Sequence, residues 1–301
     1  MSSRVTVRVE DRDLTLSNLD KVLYPAADFR KRDVIDYYRR IAPALLPHVR
    51  GRAATLIRFP DGVNGDSFYE KNVSRHAPGW VPTARLVSGA DGTGRAVNHH
   101  VLIDSLPTLV WTANLAALEL HVPQWTVGDG DRRNPPDLLV FDLDPGPPAT
   151  VVDCCRAAEL LHDRLRADGL RAYPKTSGAK GMQLYCPVTT TRGDQTSAYA
   201  KDLARSLAAT HPGELLATMS RAERTGKVFL DWSQNNTAKT TIAPYSLRAR
   251  EHPTASTPIT WDEVRSCRDP AQLRFTASDV LARVERDGDL LADLHRDPHP
   301  L

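Results

Sequence analysis

The segment Asp-Leu-Leu-Val-Phe-Asp-Leu-Asp-Pro-Gly at 137–146 constrains the fold of this chain more than any other. Its unbroken apolar stretch, Leu138 to Phe141, predicts a strand buried inside a sheet, and Pro145-Gly146 ends it. Asp142 and Asp144 stand two residues apart just before that break. Alternate residues of a strand point to the same side, so the two carboxylates converge. Like charges so placed repel unless a cation lies between them. Hard oxygen ligands with positions left for phosphate oxygens suit Mg²⁺ or Mn²⁺ rather than zinc, which points to metal-assisted phosphoryl or nucleotidyl transfer. The same pair at a strand end also serves as a turn or a helix cap, so the rest of the chain has to decide.

Composition excludes some classes. With 301 residues, 25% of them charged, the chain is an ordinary globular one, and 39 Lys and Arg against 37 Asp and Glu leave a net charge of only +2. A basic footprint for nucleic acid must therefore be local. No stretch approaches the roughly 20 apolar residues that span a bilayer. The start, Met-Ser-Ser-Arg-Val-Thr-Val-Arg-Val-Glu, alternates like a strand and lacks the apolar core of a signal peptide. Cys154, Cys155, Cys186 and Cys267 show no zinc spacing, and the adjacent pair reads as small core residues. A reduced, cytoplasmic setting is expected.

Periodicity predicts a mixed α/β chain: a hairpin over 5–17, a helix over 32–48 kinked or divided at Pro43, and strands at 53–59 and 66–71. An apolar helix is expected over 107–120, followed by the strand 137–144 and a helix near 149–168. Further strands are expected at 171–175, 182–188 and 227–232, with helices at 194–210, 261–266, 276–285 and 288–294. No linker interrupts the chain, so one domain over 1–301 is expected.

A third acid, Asp231, closes the apolar strand Lys227-Val-Phe-Leu-Asp231 in a setting like the first two. Three strand-end carboxylates could form a two-metal site. Lys175-Thr-Ser-Gly-Ala-Lys-Gly181 lies between two predicted strands. Its glycines admit phosphate oxygens to backbone N–H groups, while Ser177 and Lys180 offer a hydroxyl and a charge. The P-loop spacing is absent, and a tight hairpin would carry the same residues. Arg224, Lys227, Lys239, Arg248 and Arg250 flank Asp231 and could neutralise a triphosphate or simply form a solvated rim.

Phe-Asp-Leu-Asp alone resembles the opening motif of haloacid-dehalogenase-type phosphatases, in which the first Asp is a nucleophile. A longer set of segments resembles another family. Asn-Leu-Asp-Lys-Val-Leu-Tyr-Pro (18–25), His-Val-Pro-Gln-Trp (121–125), Phe-Asp-Leu-Asp-Pro-Gly (141–146), Thr-Ser-Gly-Ala-Lys-Gly (176–181) and the run from Asp231 to Arg250 are similar to the polymerase domain of bacterial ligase D, of the archaeo-eukaryotic primase superfamily. The match keeps the family's order from about residue 14 to 294.

That resemblance implies a primase-like catalytic core, an RRM-like sheet with flanking helices, fused to an N-terminal α/β module. It implies a template-dependent nucleotidyltransferase, a polymerase or primase, that fills gaps or extends ends in DNA repair and prefers ribonucleotides. Asp142, Asp144 and Asp231 would ligate Mn²⁺ or Mg²⁺. His121, Ser177, Lys180, Gln183, Arg224, Lys239 and Arg248 would contact the nucleoside triphosphate. Asn18, Lys21 and Lys31 match a pocket for the 5′-phosphate of a downstream strand, for which two ammonium groups and an amide are suited. Phe68 and Tyr69 match aromatics that stack on bases, although such residues also serve as core.

The family typically has Gly-Leu-His where this chain reads Gly181-Met-Gln183-Leu, and Gln183 can donate a hydrogen bond but carry no charge. Ile57-Arg58 likewise stands where Lys-Arg is common. The length leaves no room for ligase or nuclease domains, so a stand-alone monomeric relative is expected, with Ku and a separate DNA ligase as partners by analogy. The competing readings are a non-catalytic module for 5′-phosphorylated DNA ends and, less well supported, the phosphatase.

Overall fold

The computed structural model describes residues 4–89, 94, 96–220 and 222–301; Met1–Ser3, where the alternating start begins, lie outside them. The acid-bearing run forms the strand Leu138–Pro145, the middle of the sheet path Tyr173–Thr176, Met182–Thr189, Leu138–Pro145, Val228–Asp231 and Leu215–Leu216. It runs antiparallel to both neighbours. Leu139, Phe141 and Leu143 pack with Cys154, Leu161, Ala200 and Leu203 of the helices Val151–Ala167 and Gln195–Thr210. On the other face Leu138 and Val140 meet Tyr173, Tyr185, Leu291 and Leu294. Apolar cover on both sides explains the unbroken run; where the second cluster stops, Asp142 and Asp144 take over that face. Thr150 starts the helix that follows, accepting from the Val152 N–H while its own N–H donates to Asp153.

A second sheet follows the path Thr241–Ile242, Ala117–Val122, Ala53–Arg58, Val97–Leu102 and Thr83–Val87, with Phe68–Glu70 also paired to Ala53–Arg58. Ala54, Leu56, Val101, Leu118 and Leu120 turn one face towards Ile41, Leu45 and Leu109 of the helices Lys31–Val49 and Leu106–Asn114. The alternate residues Thr55, His100, Glu119 and His121 therefore share the opposite face, Thr55 paired with His121.

The two sheets are tied through the chain itself. Thr241–Ile242 comes from beyond the acid-bearing sheet yet completes the other one, and Tyr245, Leu247, Ala255 and Val280 join its core. The buried Arg52 forks onto Asp137 at 2.8 and 2.7 Å, fixing the entry to the acid strand. Among the described residues no helix is long and apolar enough to cross a membrane.

The mixed α/β architecture, the hairpin Arg4–Val9/Arg12–Ser17 and most of the predicted elements are observed, and all four cysteines are buried free thiols. Three expectations fail. The helix Lys31–Val49 runs unbroken through Pro43 and Pro47. Both prolines sit on its exposed side, where water can satisfy the carbonyls they leave unpaired. The apolar segment 107–120 divides: the helix ends at Asn114, Ala116 turns at φ +57, and Ala117–Val122 is a central strand. Length and apolarity do not separate a buried strand from a buried helix. Residues 288–294 form turns, held by Asp289, which accepts from the Leu291 N–H, the Tyr245 hydroxyl and His48 Nε2. The strands Thr83–Val87 and Val97–Leu102 went unforeseen, because Asn98, His99 and His100 mask the alternation of the second.

Candidate active site

Register gathers the site. Lys175 pairs with Gln183, Gln183 with Asp142, and Asp142 with Asp231, so four polar residues form a row across four adjacent strands. Asp144 follows two residues along on the same side. Asp142, Asp144 and Gln183 open onto a cleft of about 230 Å³ that His121, Ser177, Lys180, Gln234 and Arg248 also line.

The acids are poised against their surroundings. Burial first, then the Asp144 charge, raises the Asp142 carboxyl to about 7; Asp231 adds to this, while the Gln183 hydrogen bond and Lys175 oppose it. Asp144 is raised by burial and by Asp231, against the pull of Arg224, Arg248 and Lys180. Gln183 Nε2 donates to Asp142 Oδ1 at 3.0 Å, and its buried Oε1 has no partner. The Asp231 carboxylate is engaged by its own segment: Oδ1 accepts from the Ser233 N–H and hydroxyl, and Oδ2 from Gln234 Nε2 at 2.8 Å. Lys239 Nζ donates to the Ser233 hydroxyl, reaching Asp231 through one intermediary.

Among the described residues no three His, Cys, Asp or Glu side chains are gathered into a ready-made cage for a metal ion. The donor chemistry nevertheless fits a hard divalent cation. Two converging carboxylates pushed up by burial and mutual repulsion are relieved by such an ion, and a third carboxylate lies across the strand from them.

Basic groups close over the acids. Gly181 lets the 176–181 loop press onto the acid strand, since a Cβ there would overlap the Leu143 carbonyl. Ser177 Oγ accepts from the N–H groups of Ala179 and Gly181, which fixes the loop and leaves Lys180 at its exposed tip. Gly146 is needed for the same reason, because a Cβ would strike the Arg224 carbonyl. The Arg224 guanidinium stacks on Phe229 with 4.0 Å to the ring centroid. From the other sheet, His121 Nε2 donates to Glu119 at 2.9 Å, and Arg248 Nε lies 3.3 Å from the same carboxylate. Burial pushes Glu119 up, but His121, Arg248 and the Ala249 N–H together leave it below its ordinary value. His121 is pushed down by burial despite Glu119.

Outside this cleft lie two further groups of expected residues. Lys21 and Lys31 are neighbours across a turn: the Lys31 N–H donates to the Lys21 carbonyl, and the Lys21 N–H to the Asn18 carbonyl, with Asn18 at φ +55. Lys21 Nζ meets Asp61 at 2.6 Å, and Lys31 Nζ donates to the Ser17 carbonyl at 2.6 Å. Burial, then the charges of Lys21 and Arg58, lowers Lys31 to about 8. Phe68 and Tyr69 are 54% and 58% exposed on an edge strand, which rules out the core reading for both.

Residues unnoticed as site members include Lys175, Glu119, Ser233 and Gln234. Lys175 is wholly buried beside the row; its Nζ donates to the Ile242 carbonyl and to Ser256, and burial lowers it to about 7. Its sequence signal was only its place at the start of the Ser177–Gly181 loop, and strand register is needed to put it next to Gln183.

Residues 30–291 match the family model described as LigD, primase-polymerase domain. The chain belongs to that family. It is 43% identical over 285 residues to the "Multifunctional non-homologous end joining protein LigD" of Mycolicibacterium smegmatis, covering 94% of this chain and 36% of that protein. The "Bifunctional non-homologous end joining protein LigD" of Bacillus subtilis is 33% identical, over 95% of this chain and 44% of its own length. A solved structure described as "Polymerase Domain from Mycobacterium tuberculosis Ligase D in complex with DNA" superposes with a TM-score of 0.89 at 42% identity, covering 96% of this chain and all of that one. The chain thus spans well under half the length of these full LigD proteins. Membership in the LigD primase-polymerase family sets aside the phosphatase reading of Phe141 to Asp144, and that likeness in fold agrees with the two-sheet architecture.

Proposed function

We propose that this chain is a template-dependent nucleotidyltransferase of DNA end joining, filling gaps or extending ends. One observation carries the reading: Asp142 pairs with Asp231 on the neighbouring strand, Asp144 follows on the same face, and Asp142 and Asp144 share a cleft with Lys180, Arg248 and Arg250. Carboxylates alone would repel a triphosphate, and cations alone would bind one without activating it; the combination serves transfer. Asp142, Asp144 and Asp231 are the candidate ligands of Mg²⁺ or Mn²⁺, which when bound polarises the attacking and leaving oxygens.

The chain's own groups bind and orient. Lys180, Arg224, Lys239 and Arg248 would balance the triphosphate charge, with Ser177 holding the loop that presents Lys180. His121, braced by Glu119, and Gln183 would contact the nucleotide directly. The primer 3′-oxygen forms its bond to the α-phosphorus as the bond to pyrophosphate breaks, and the departing pyrophosphate keeps its basic partners. Asn18, Lys21 and Lys31 would receive a downstream 5′-phosphate, with Phe68 and Tyr69 stacking on bases nearby. The chain works as one unit over 1–301, as a cytoplasmic, nucleoid-associated monomer that prefers ribonucleotides and cooperates with Ku and a separate DNA ligase.

The test is extension of a primed template with Mg²⁺ or Mn²⁺ and each nucleotide type. Extension that disappears in Asp142→Asn supports the reading. DNA-end binding without extension under any metal would favour the non-catalytic module.

A further inference from the structure

The polar face of the 53–58 sheet carries a second recess beside the cleft, one whose position no sequence motif marks. Its volume is about 80 Å³, and its walls include Thr55, Lys71, His100, Trp125, Arg133 and Lys239. Among the described residues lining it there is no Asp or Glu. Thr55 is fully buried, and its hydroxyl has no hydrogen-bond partner. A buried hydroxyl left so is costly unless something arrives to engage it. His100 is pushed down by burial, then drawn up by its hydrogen bond to the Ala54 carbonyl and lowered again by the charges of Lys71 and Arg133. Lys71, Arg133 and Lys239 bring positive charge to the recess, with Thr55 buried in its wall.

Size narrows the occupant. The recess is small. That suits one phosphate and falls far short of the roughly 300 Å³ of even a small ligand pocket. Position narrows it further. Thr55 pairs with His121 of the cleft on one side, and His100 lies across the neighbouring strand on the other. With strands about 4.8 Å apart, His100 is roughly 10 Å from His121, the rise of about three stacked nucleotides. In the opposite direction Lys71 stands over the exposed Tyr69 ring, 5.7 Å from its centroid.

We infer that this recess seats one backbone phosphate of the nucleic-acid strand that passes from Phe68 and Tyr69 to the catalytic cleft, with Lys71, His100 and Arg133 around it and Thr55 in its wall. The inference rests on the polymerase reading and adds to it a fixed point on the strand's path.

The experiment measures DNA affinity against salt, and nucleotide KM, for the full chain and for Lys71→Ala, His100→Ala and Thr55→Val. A seated phosphate predicts at least fivefold weaker DNA binding in Lys71→Ala, with a shallower salt dependence by about one phosphate contact and an unchanged KM for nucleotide. A methylphosphonate scan along the strand should weaken the unmodified protein at one linkage, and that linkage should lose its effect in Lys71→Ala. Thr55→Val removes only a hydroxyl from an otherwise similar shape, so it tests that wall of the seat without emptying space. A raised nucleotide KM with DNA binding intact would assign the recess to a nucleotide phosphate and overturn the inference. Equal binding and salt slope in all variants would overturn it too. Either result leaves the polymerase reading standing if the unmodified protein extends primers; absence of extension would remove that reading instead.

Discussion

In the cleft, acids and bases are packed against one another; in the Lys21–Lys31 pocket Lys31 is buried, Lys21 is partly open, and both are already engaged. Asp142 and Lys175 are both displaced towards neutrality, to about 7, by their surroundings. Lys21, by contrast, has Asp61, and Lys31 Nζ is met by the oxygens of Ser17. The difference is one of task. A site that carries out transfer has to hold opposite charges in a dry place where small changes are felt strongly. A site that only recognises a terminal phosphate needs cations that can exchange one partner for another.

The largest effect should come from breaking the cleft. Asp142→Asn or Asp144→Asn keeps shape but removes a charge, and nucleotide incorporation is expected to fall on the order of a thousandfold, with DNA binding retained. Steady-state incorporation beside a DNA-binding titration checks this. Retained turnover would mean that the paired carboxylates are only a strand-end turn.

The pocket should fail more gently. Lys21→Ala with Lys31→Ala removes two charge-assisted contacts, about 1.5–3 kcal/mol each, so the advantage of a gapped substrate bearing a 5′-phosphate should drop by at least tenfold. Extension of a simple primed template should survive. Comparing the two substrates in one assay separates pocket from cleft.

Acidity offers a finer probe of the same contrast. Lys31 sits at about 8 rather than near 10.5. Below that value the free pocket is charged and ready; above it the proton must be supplied on binding. The 5′-phosphate advantage should therefore decline from pH 7 to pH 9, and Lys31→Arg should flatten the decline. A flat profile in the unaltered chain would show that Lys31 does not face the phosphate.

The smallest effect expected is at Gln183. Gln183→His replaces the amide donor to Asp142 with an imidazole, so nucleotide KM should change by only a few-fold, with kcat less affected. Nucleotide titrations of the two proteins decide it.

These contrasts follow how much could be read before the fold was known. The acid strand was legible because its pattern is local: apolar cover, two carboxylates at period two, and a Pro-Gly stop. Asp231 and the glycine loop were legible for the same reason. Lys175 and Glu119 were not, because their place depends on strand register and on one sheet facing another, neither of which leaves a local pattern. The unbroken course of the helix through Pro43 was not legible, because exposure of the prolines, which makes them tolerable, is a tertiary property. The strand Ala117–Val122 was hidden inside an apolar segment whose helical and extended readings are equal until Ala116 turns the chain.

The central claim is that the acids and the basic cover form one centre for nucleotidyl transfer, while Lys21 and Lys31 recognise a strand end. Its most direct test is single-nucleotide extension on a gapped duplex, with and without the downstream 5′-phosphate. The account predicts extension that is faster with the phosphate, loses that advantage in the Lys21→Ala, Lys31→Ala protein, and vanishes on both substrates in Asp142→Asn. Extension that persists in Asp142→Asn, or a phosphate advantage untouched by loss of both lysines, would contradict it.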